Sequence, residues 1–322
     1  MANNTTAPPM ELDNSKRSTF VACPRKYLLS YILDLDTKKG KTALRYGSAW
    51  HGMMEGYYSD IKENGWGPSN IDKANDYGIQ AWKDATNEAE YFDDDYRSYE
   101  NCLTCFAEYI GHFASDRHDL EVIDTETMFK IRMKLSDDEF VRYPRVAKYG
   151  LFFTGKLDLH VFLSGQEWIT EFKTTGQSIG VQISRLERTP QLIGYNWAAN
   201  QIGHQIAGNL VSLHQISSRK STVTEKWGKL TIKFHRQPHI YTTGDLLSWR
   251  DSFLYTAEKI YEAEEMSYYP MMYDSCYQFG PCKFTQLCNQ NRPVPELDTS
   301  NYMNRHWNVL KTGHGDAKVE ER

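Results

Sequence analysis

Two runs in the middle of the chain, 146–163 and 166–174, are rich in β-branched and aromatic residues, and the turn signal Ser164-Gly165 separates them. Two strands joined by so short a link run antiparallel, and this constrains the fold more than any other feature, because the pair carries acids. The first strand contains Gly155-Lys156-Leu157-Asp158 and the second Glu171-Phe172-Lys173. Alternate residues of a strand share a face, so Glu171 and Lys173 project to one side, and the turn lays Asp158 alongside them. Two carboxylates buried together repel unless a cation neutralises them. A hard divalent ion with oxygen ligands does so, and Mg²⁺ typically takes one or two carboxylates plus water and phosphate. An ion held this way acidifies water and stabilises charge on a phosphodiester. Lys173 would orient the attacking water or offset developing negative charge. The competing reading is a surface hairpin with an ordinary Glu–Lys pair.

The rest of the chain is organised around this hairpin. Ser18 to Leu33 reads as a helix capped by Ser18, with Phe20, Tyr27, Leu28 and Tyr31 at helical spacing and Pro24 in its first turns. Further helices are predicted over 44–61, 70–87 and 95–117. Glu121 to Leu135 adds a third antiparallel strand. A helix over 190–202, a strand pair over 207–216 and 230–241, and a long helix over 243–266 follow. The fold class is α/β, in the α+β sense. The expected divisions are a flexible N-terminus (1–17), a helical region with Cys23 and His51 (18–120), a core (121–266), a cysteine region (267–290) and a polar, partly mobile tail (291–322).

The net charge of −5 excludes a globally basic nucleic-acid binder but not a local basic face. The stretch 84–100 is acidic. Residues 215–236 carry Arg219, Lys220, Lys226, Lys229, Lys233 and Arg236 against the single acid Glu225. The longest apolar stretch, Leu28 to Leu33, is far short of the roughly 20 residues that span a bilayer. Met1 to Ser18 lacks the apolar segment of a secretory signal. The expectation is a cytoplasmic protein with no membrane partner.

Two further spacings matter. Gly47-x3-His51 lies on a predicted helix, and a neutral imidazole can ligate a metal. Gln191 and Tyr195 sit four apart, on one face of the helix after the Lys173 strand. The order Gly-x3-His, Gly-x2-Asp, Glu-x-Lys, Gln-x3-Tyr resembles the RecB-like branch of the PD-(D/E)XK nuclease superfamily, over about residues 18 to 290. The resemblance implies a restriction-endonuclease-like mixed central sheet flanked by helices. It implies that His51, Asp158, Glu171 and the Phe172 carbonyl hold Mg²⁺ or Mn²⁺, and that Lys173 is the catalytic lysine. Gln191 and Tyr195 would position the DNA and the active-site residues, and Glu126 would be a further acid nearby. The basic run would then track a phosphate backbone.

Six cysteines complete the picture. Cys276, Cys282 and Cys288 cluster in an irregular, Gly/Pro-containing stretch, and three thiolates need a fourth ligand for tetrahedral zinc or a four-iron cluster. Cys23, followed by Pro24, is the best candidate. The pattern is similar to the iron–sulfur subgroup of the same nucleases (AddB-type, CRISPR-adaptation and exonuclease V types). There a [4Fe–4S] cluster staples the two ends of the chain around the core, whereas zinc is the alternative here. The late spacing is Cys-x5-Cys-x5-Cys, against the subgroup's usual Cys-x2-Cys-x5-Cys. Cys102 and Cys105 fall inside a predicted helix and are expected to pack. No Gly-x4-Gly-Lys-Ser/Thr motif is present, so unwinding would have to come from a partner. The resemblance thus implies a DNA exonuclease acting on single-stranded ends in recombination, repair or replication, of a kind frequent in phage and so active in a host cytoplasm, with a recombinase, helicase or integrase as partner. The rival readings are a CRISPR-adaptation nuclease trimming spacer precursors and a non-catalytic iron–sulfur DNA-binding module.

Overall fold

A computed structural model describes residues 8–88, 95–224, 226–278, 280–311 and 319–321. Part of the acidic stretch (89–94) and Glu225 lie outside them. A mixed sheet forms the centre, in the order β7-β6-β5-β4-β3-β9, where β3 is Leu120–Arg132, β4 Leu151–Leu163, β5 Gln166–Thr175, β6 Gly208–Ser217, β7 Thr231–His239 and β9 Val319–Glu321. The three strands β3, β4 and β5 form the antiparallel meander. β5 and β6 are parallel, and β6 and β7 are antiparallel. The restriction-endonuclease-like architecture of a mixed sheet flanked by helices is therefore present.

The helices cover both faces. We label them α1 (Asn14–Ala22), α2 (Thr42–Asn64), α3 (Ser69–Glu88), α4 (Tyr99–His112), α5 (Ile179–Leu186), α6 (Pro190–Ile202) and α7 (Thr243–Met266). On one face α6 and α7 pack against β3 and β4 through Phe129, Phe153, Trp197, Trp249 and Phe253. On the other, α2 and α4 bury Trp50, Tyr58, Phe106 and Tyr109 against Leu159, Val161 and Phe172. Each large side chain so buried contributes roughly 1.5–3 kcal/mol. Cys102 and Cys105 belong to this second core and are fully buried, as packing residues. Burial pushes the Cys105 thiol up to about 11 and raises Cys102 further, so neither is a thiolate at neutral pH.

Several expectations are corrected. The N-terminus is not loose throughout: Met10–Leu12 (β1) pairs in parallel with Leu151–Phe153, and Leu12 is completely buried. The first helix starts at Asn14, capped by Asp13 rather than Ser18, because the Asp13 carboxylate accepts the Lys16 N–H at 2.8 Å. It ends where Cys23 is extended before Pro24, as a residue before proline is biased to be. Val146 lies on a short helix, Pro144–Tyr149, not on a strand: Pro144 opens the helix and Gly150 closes it. In the tail, Tyr302–Asn304 (β8) pairs antiparallel with Leu35–Thr37 (β2), β9 adds to β3, and the Trp307 indole donates to Asp13 at 2.9 Å. No helix among the described residues is long and apolar enough to cross a membrane.

Candidate active site

The site lies where two strands of the meander part. The β4–β5 ladder runs from Leu163↔Gln166 to Leu159↔Thr170 and ends one residue short of Asp158. Past that point the Asp158 side chain takes over from the backbone: its Oδ2 accepts the Phe172 N–H at 3.0 Å. Gly155 permits this part of β4 to be covered, since a Cβ there would strike the Phe129 ring and press on Tyr195.

Around the gap the side chains converge. The Glu171 carboxylate is 2% exposed. Its Oε1 accepts from the Lys173 ammonium and from Gln191 Nε2, the latter at 2.8 Å, while Lys173 Nζ donates to Gln191 Oε1 at 3.1 Å. Glu171 Oε2 is buried and has no hydrogen-bond partner. His51, one helical turn beyond Gly47 on α2, brings its Nδ1 to 3.4 Å from Asp158 Oδ2, with the Phe172 backbone beside the same imidazole. Tyr195 lies buried beneath Gln191, on the next turn of α6. The sequence-predicted set His51, Asp158, Glu171, Phe172, Lys173, Gln191 and Tyr195 is thus brought together. Glu126 stands opposite Asp158 across the β3–β4 ladder, in a left-handed conformation (φ 53°) that costs an ordinary residue roughly 1–2 kcal/mol. Its buried carboxylate is paired with Lys156.

The electrostatics favour cation binding. Burial raises the pKa of Asp158, against the pull of Lys173 and Lys156. Glu171 is raised too, by burial and then by Asp158. Burial opposes the Lys173 charge, but Glu171 and Asp158 outweigh it and hold the ammonium above the usual lysine range. Burial and then Lys173 push the His51 imidazole down to about 4, so at neutral pH it is uncharged with a lone pair to give. Two acids, one of them with an orphaned oxygen, a neutral imidazole and a backbone carbonyl form a donor set whose chemistry fits a hard divalent cation.

A family model of the PD-(D/E)XK nuclease superfamily matches residues 14–289. This chain belongs to that superfamily. The match spans from the start of α1 to just beyond Cys288. Among curated proteins none matches this nuclease-superfamily chain. The solved structures similar to it include a Eubacterium rectale protein with a provisional exonuclease designation, 13% identical, with a TM-score of 0.46 and coverage of 88% of this chain and 89% of that one. Another is SSO0001, 10% identical, with a TM-score of 0.29 and coverage of 76% and 86%.

A cleft of about 370 Å³ opens beside His51 and Lys173, walled by Gly47, Arg97, Thr174 and Gly176 among others. Arg97 was not foreseen as part of it. The Arg97 guanidinium lies 4.4 Å over the Tyr96 ring and pairs with Asp95 at 3.3 Å. Tyr96 in turn packs edge-on against Trp227, with ring centroids 5.0 Å apart, and so links the cleft to the connection between β6 and β7. Arg219, Lys220, Lys226, Lys229 and Lys233 are exposed on or beside that connection. Arg236 is not part of this face. It turns inward, pairs with Asp116 at 2.6 Å, lies 3.8 Å from the Phe113 ring centroid and donates to the Tyr58 and Tyr109 hydroxyls.

At the far end of the chain the late cysteines meet the early one. Cys23, Cys276 and Cys282 line a cavity of about 230 Å³. The Cys288 thiol is raised by burial, with Cys282, Cys23 and Cys276 all close enough to contribute. The Met272 N–H donates to Cys23 Sγ at 3.5 Å, and the Ser275 hydroxyl to the Ala22 carbonyl at 2.6 Å.

Proposed function

We propose that this protein is a divalent-metal-dependent DNA exonuclease that hydrolyses phosphodiesters at single-stranded ends, in recombination, repair or replication. The observation that carries the reading is the convergence of His51, Asp158 and Glu171, with Glu171 Oε2 buried and unpartnered, beside an ammonium held by Glu171 and Gln191. His51, Asp158, Glu171 and the Phe172 carbonyl are the ligands in this reading. Bound there, Mg²⁺ or Mn²⁺ neutralises the acids and supplies Lewis-acid stabilisation of the charge that builds on the scissile phosphate. Lys173 holds its proton, and its ammonium at the cleft edge meets a phosphate oxygen or orients the attacking water. Gln191 fixes Lys173 and Glu171 relative to each other, and buried Tyr195, one turn further along the same helix, backs the site from below. The exposed cations Arg219, Lys220, Lys226, Lys229 and Lys233 guide the strand.

Cys23, Cys276, Cys282 and Cys288 hold a [4Fe–4S] cluster in this reading, joining 23–28 to 270–288. Three thiols drawn from both ends of the core line one cavity, and with Cys288 close by they are a donor set that fits it. The test is digestion of DNA labelled separately at its two ends, with and without Mn²⁺. Metal-dependent release of short products from one end, lost in Asp158→Ala and Lys173→Ala, is the expected result. Binding without cleavage in the unmodified protein, with metal present, would overturn it.

A further inference from the structure

β4 carries a further buried polar side chain close to Asp158. His160 follows Asp158 by two residues, and its ring is 2% exposed. Its Nε2 lies 3.1 Å from Glu167 Oε2 on β5. The ladder pairs His160 with Ile169, and Glu167, two residues before Ile169, shares that face. The third member comes from the end of α6. Gly203 takes a left-handed φ of 101° that closes the helix, and the His204 N–H donates to the Ala199 carbonyl at 3.0 Å. This Schellman-type ending sets the direction in which the His204 side chain leaves the helix. The rings of His160 and His204 stand edge-to-face with centroids 4.4 Å apart. One donor atom from each of His160, Glu167 and His204 lies within 4.8 Å of the other two, the one such triad among the described residues.

Two details set this cluster apart from an ordinary hydrogen-bonded pair. His160 Nδ1 is buried without a partner, which leaves a nitrogen with nothing to bind. The second imidazole adds no hydrogen bond to His160: it contributes a second nitrogen donor next to the first. Two imidazoles and a carboxylate suit borderline first-row ions of the zinc class, whereas Mg²⁺ takes oxygen. Glu167 and His204 are partly exposed, so one side of the triad is open to water for a fourth ligand.

We propose that His160, Glu167 and His204 form a site for a zinc-class divalent ion, separate from the acid site. It ties the β4–β5 hairpin to the C-terminal end of the helix that carries Gln191 and Tyr195. Its role is positional. The acids ride on β4 and β5, and Gln191 rides on α6, so an ion joining these elements holds the two halves of the site in register. The proposal does not depend on the nuclease reading, because its readout is metal binding.

The test is a Co²⁺ titration of the full-length protein in excess Mg²⁺, followed by visible d–d absorption, with far-UV circular dichroism on every variant. One equivalent of Co²⁺ is expected to give a nitrogen/oxygen-ligated band that persists in Glu171→Gln and Cys282→Ala. In His204→Ala and in Glu167→Gln the affinity should fall by about 100-fold or more, since losing even an outer-shell partner costs about 10–100-fold. Zn²⁺ should raise the melting temperature of the unmodified protein and not of His204→Ala. The proposal is overturned if the band is absent, if it survives both His204→Ala and Glu167→Gln, or if it disappears in Glu171→Gln or Cys282→Ala.

Discussion

Replacing Asp158 by Asn separates a catalytic carboxylate from a structural one. The hydrogen bond it makes is retained, because an amide oxygen can still accept the Phe172 N–H that Asp158 Oδ2 now holds at 3.0 Å. The charge is lost. Without metal, two buried carboxylates face the single ammonium of Lys173, since Lys156 is paired with Glu126 and His51 is neutral. Neutralising Asp158 leaves the Glu171–Lys173 pair balanced. Relief of an uncompensated buried charge whose hydrogen bond is kept is worth about 1–2 kcal/mol, or roughly 1.5–3 °C in melting temperature for a chain of this size. The pH dependence has a definite sign. Burial raises the Asp158 pKa in the folded protein, so its contribution is undiminished below the ordinary carboxylate range and falls as pH rises through the raised value. The advantage of the Asp158→Asn protein therefore grows toward neutral pH and vanishes in acid. Urea unfolding in chelator at several pH values measures this, and cleavage with Mn²⁺ should fall about 1000-fold in parallel. An Asp158→Asn protein that is less stable at neutral pH and still cleaves would refute the reasoning.

Three other outcomes follow from the same geometry. Metal affinity, read by calorimetry, should rise with pH through the raised range of Asp158 and Glu171, because the ion must displace their protons; His51, already neutral above about 4, adds no further step. Alanine at Lys226 or Lys229 should lower the salt slope of single-stranded DNA binding by about 0.7 per lost phosphate contact, whereas Arg236→Ala should leave the slope alone and destabilise the fold by about 3–5 kcal/mol by stranding Asp116. Cys282→Ala should yield colourless, iron-free protein melting at least about 5 °C lower, with the circular-dichroism spectrum of the core retained.

What was legible in the sequence is what local rules decide. The hairpin, the shared face of Glu171 and Lys173, and the helix Pro190–Ile202 follow from alternation, a turn dipeptide and a proline at the first helical position. His51 was legible only as one of an ordered set, because its approach to Asp158 depends on how α2 crosses the sheet. The splay between β4 and β5 carries no sequence mark, since Asp158 replaces the missing ladder bond with its own side chain. β1 and β8, three residues each, are too short to show a period, and β-branched Val146 was drawn into a helix by Pro144.

Arg236 shows where the reading of the basic run should have used the strand period. It shares a face of β7 with Phe234, and Phe234 packs on Trp50 and Tyr109, so Arg236 had to enter the same core and find Asp116 there. Lys233, one position out of phase, stays in solvent. β4 departs from that rule at Asp158: Phe153 and Leu157 enter the α6–α7 core, whereas Leu159 and Val161 enter the α2–α4 core. His160 follows Asp158 by two positions, across that break, and its imidazole is buried like the acid. A buried acid needs a cation, whereas a buried imidazole needs only a partner for each nitrogen. Glu167 supplies one such partner and leaves Nδ1 without one. That difference is why the two positions would suit different ions, a hard one at Asp158 and a nitrogen-seeking one at His160.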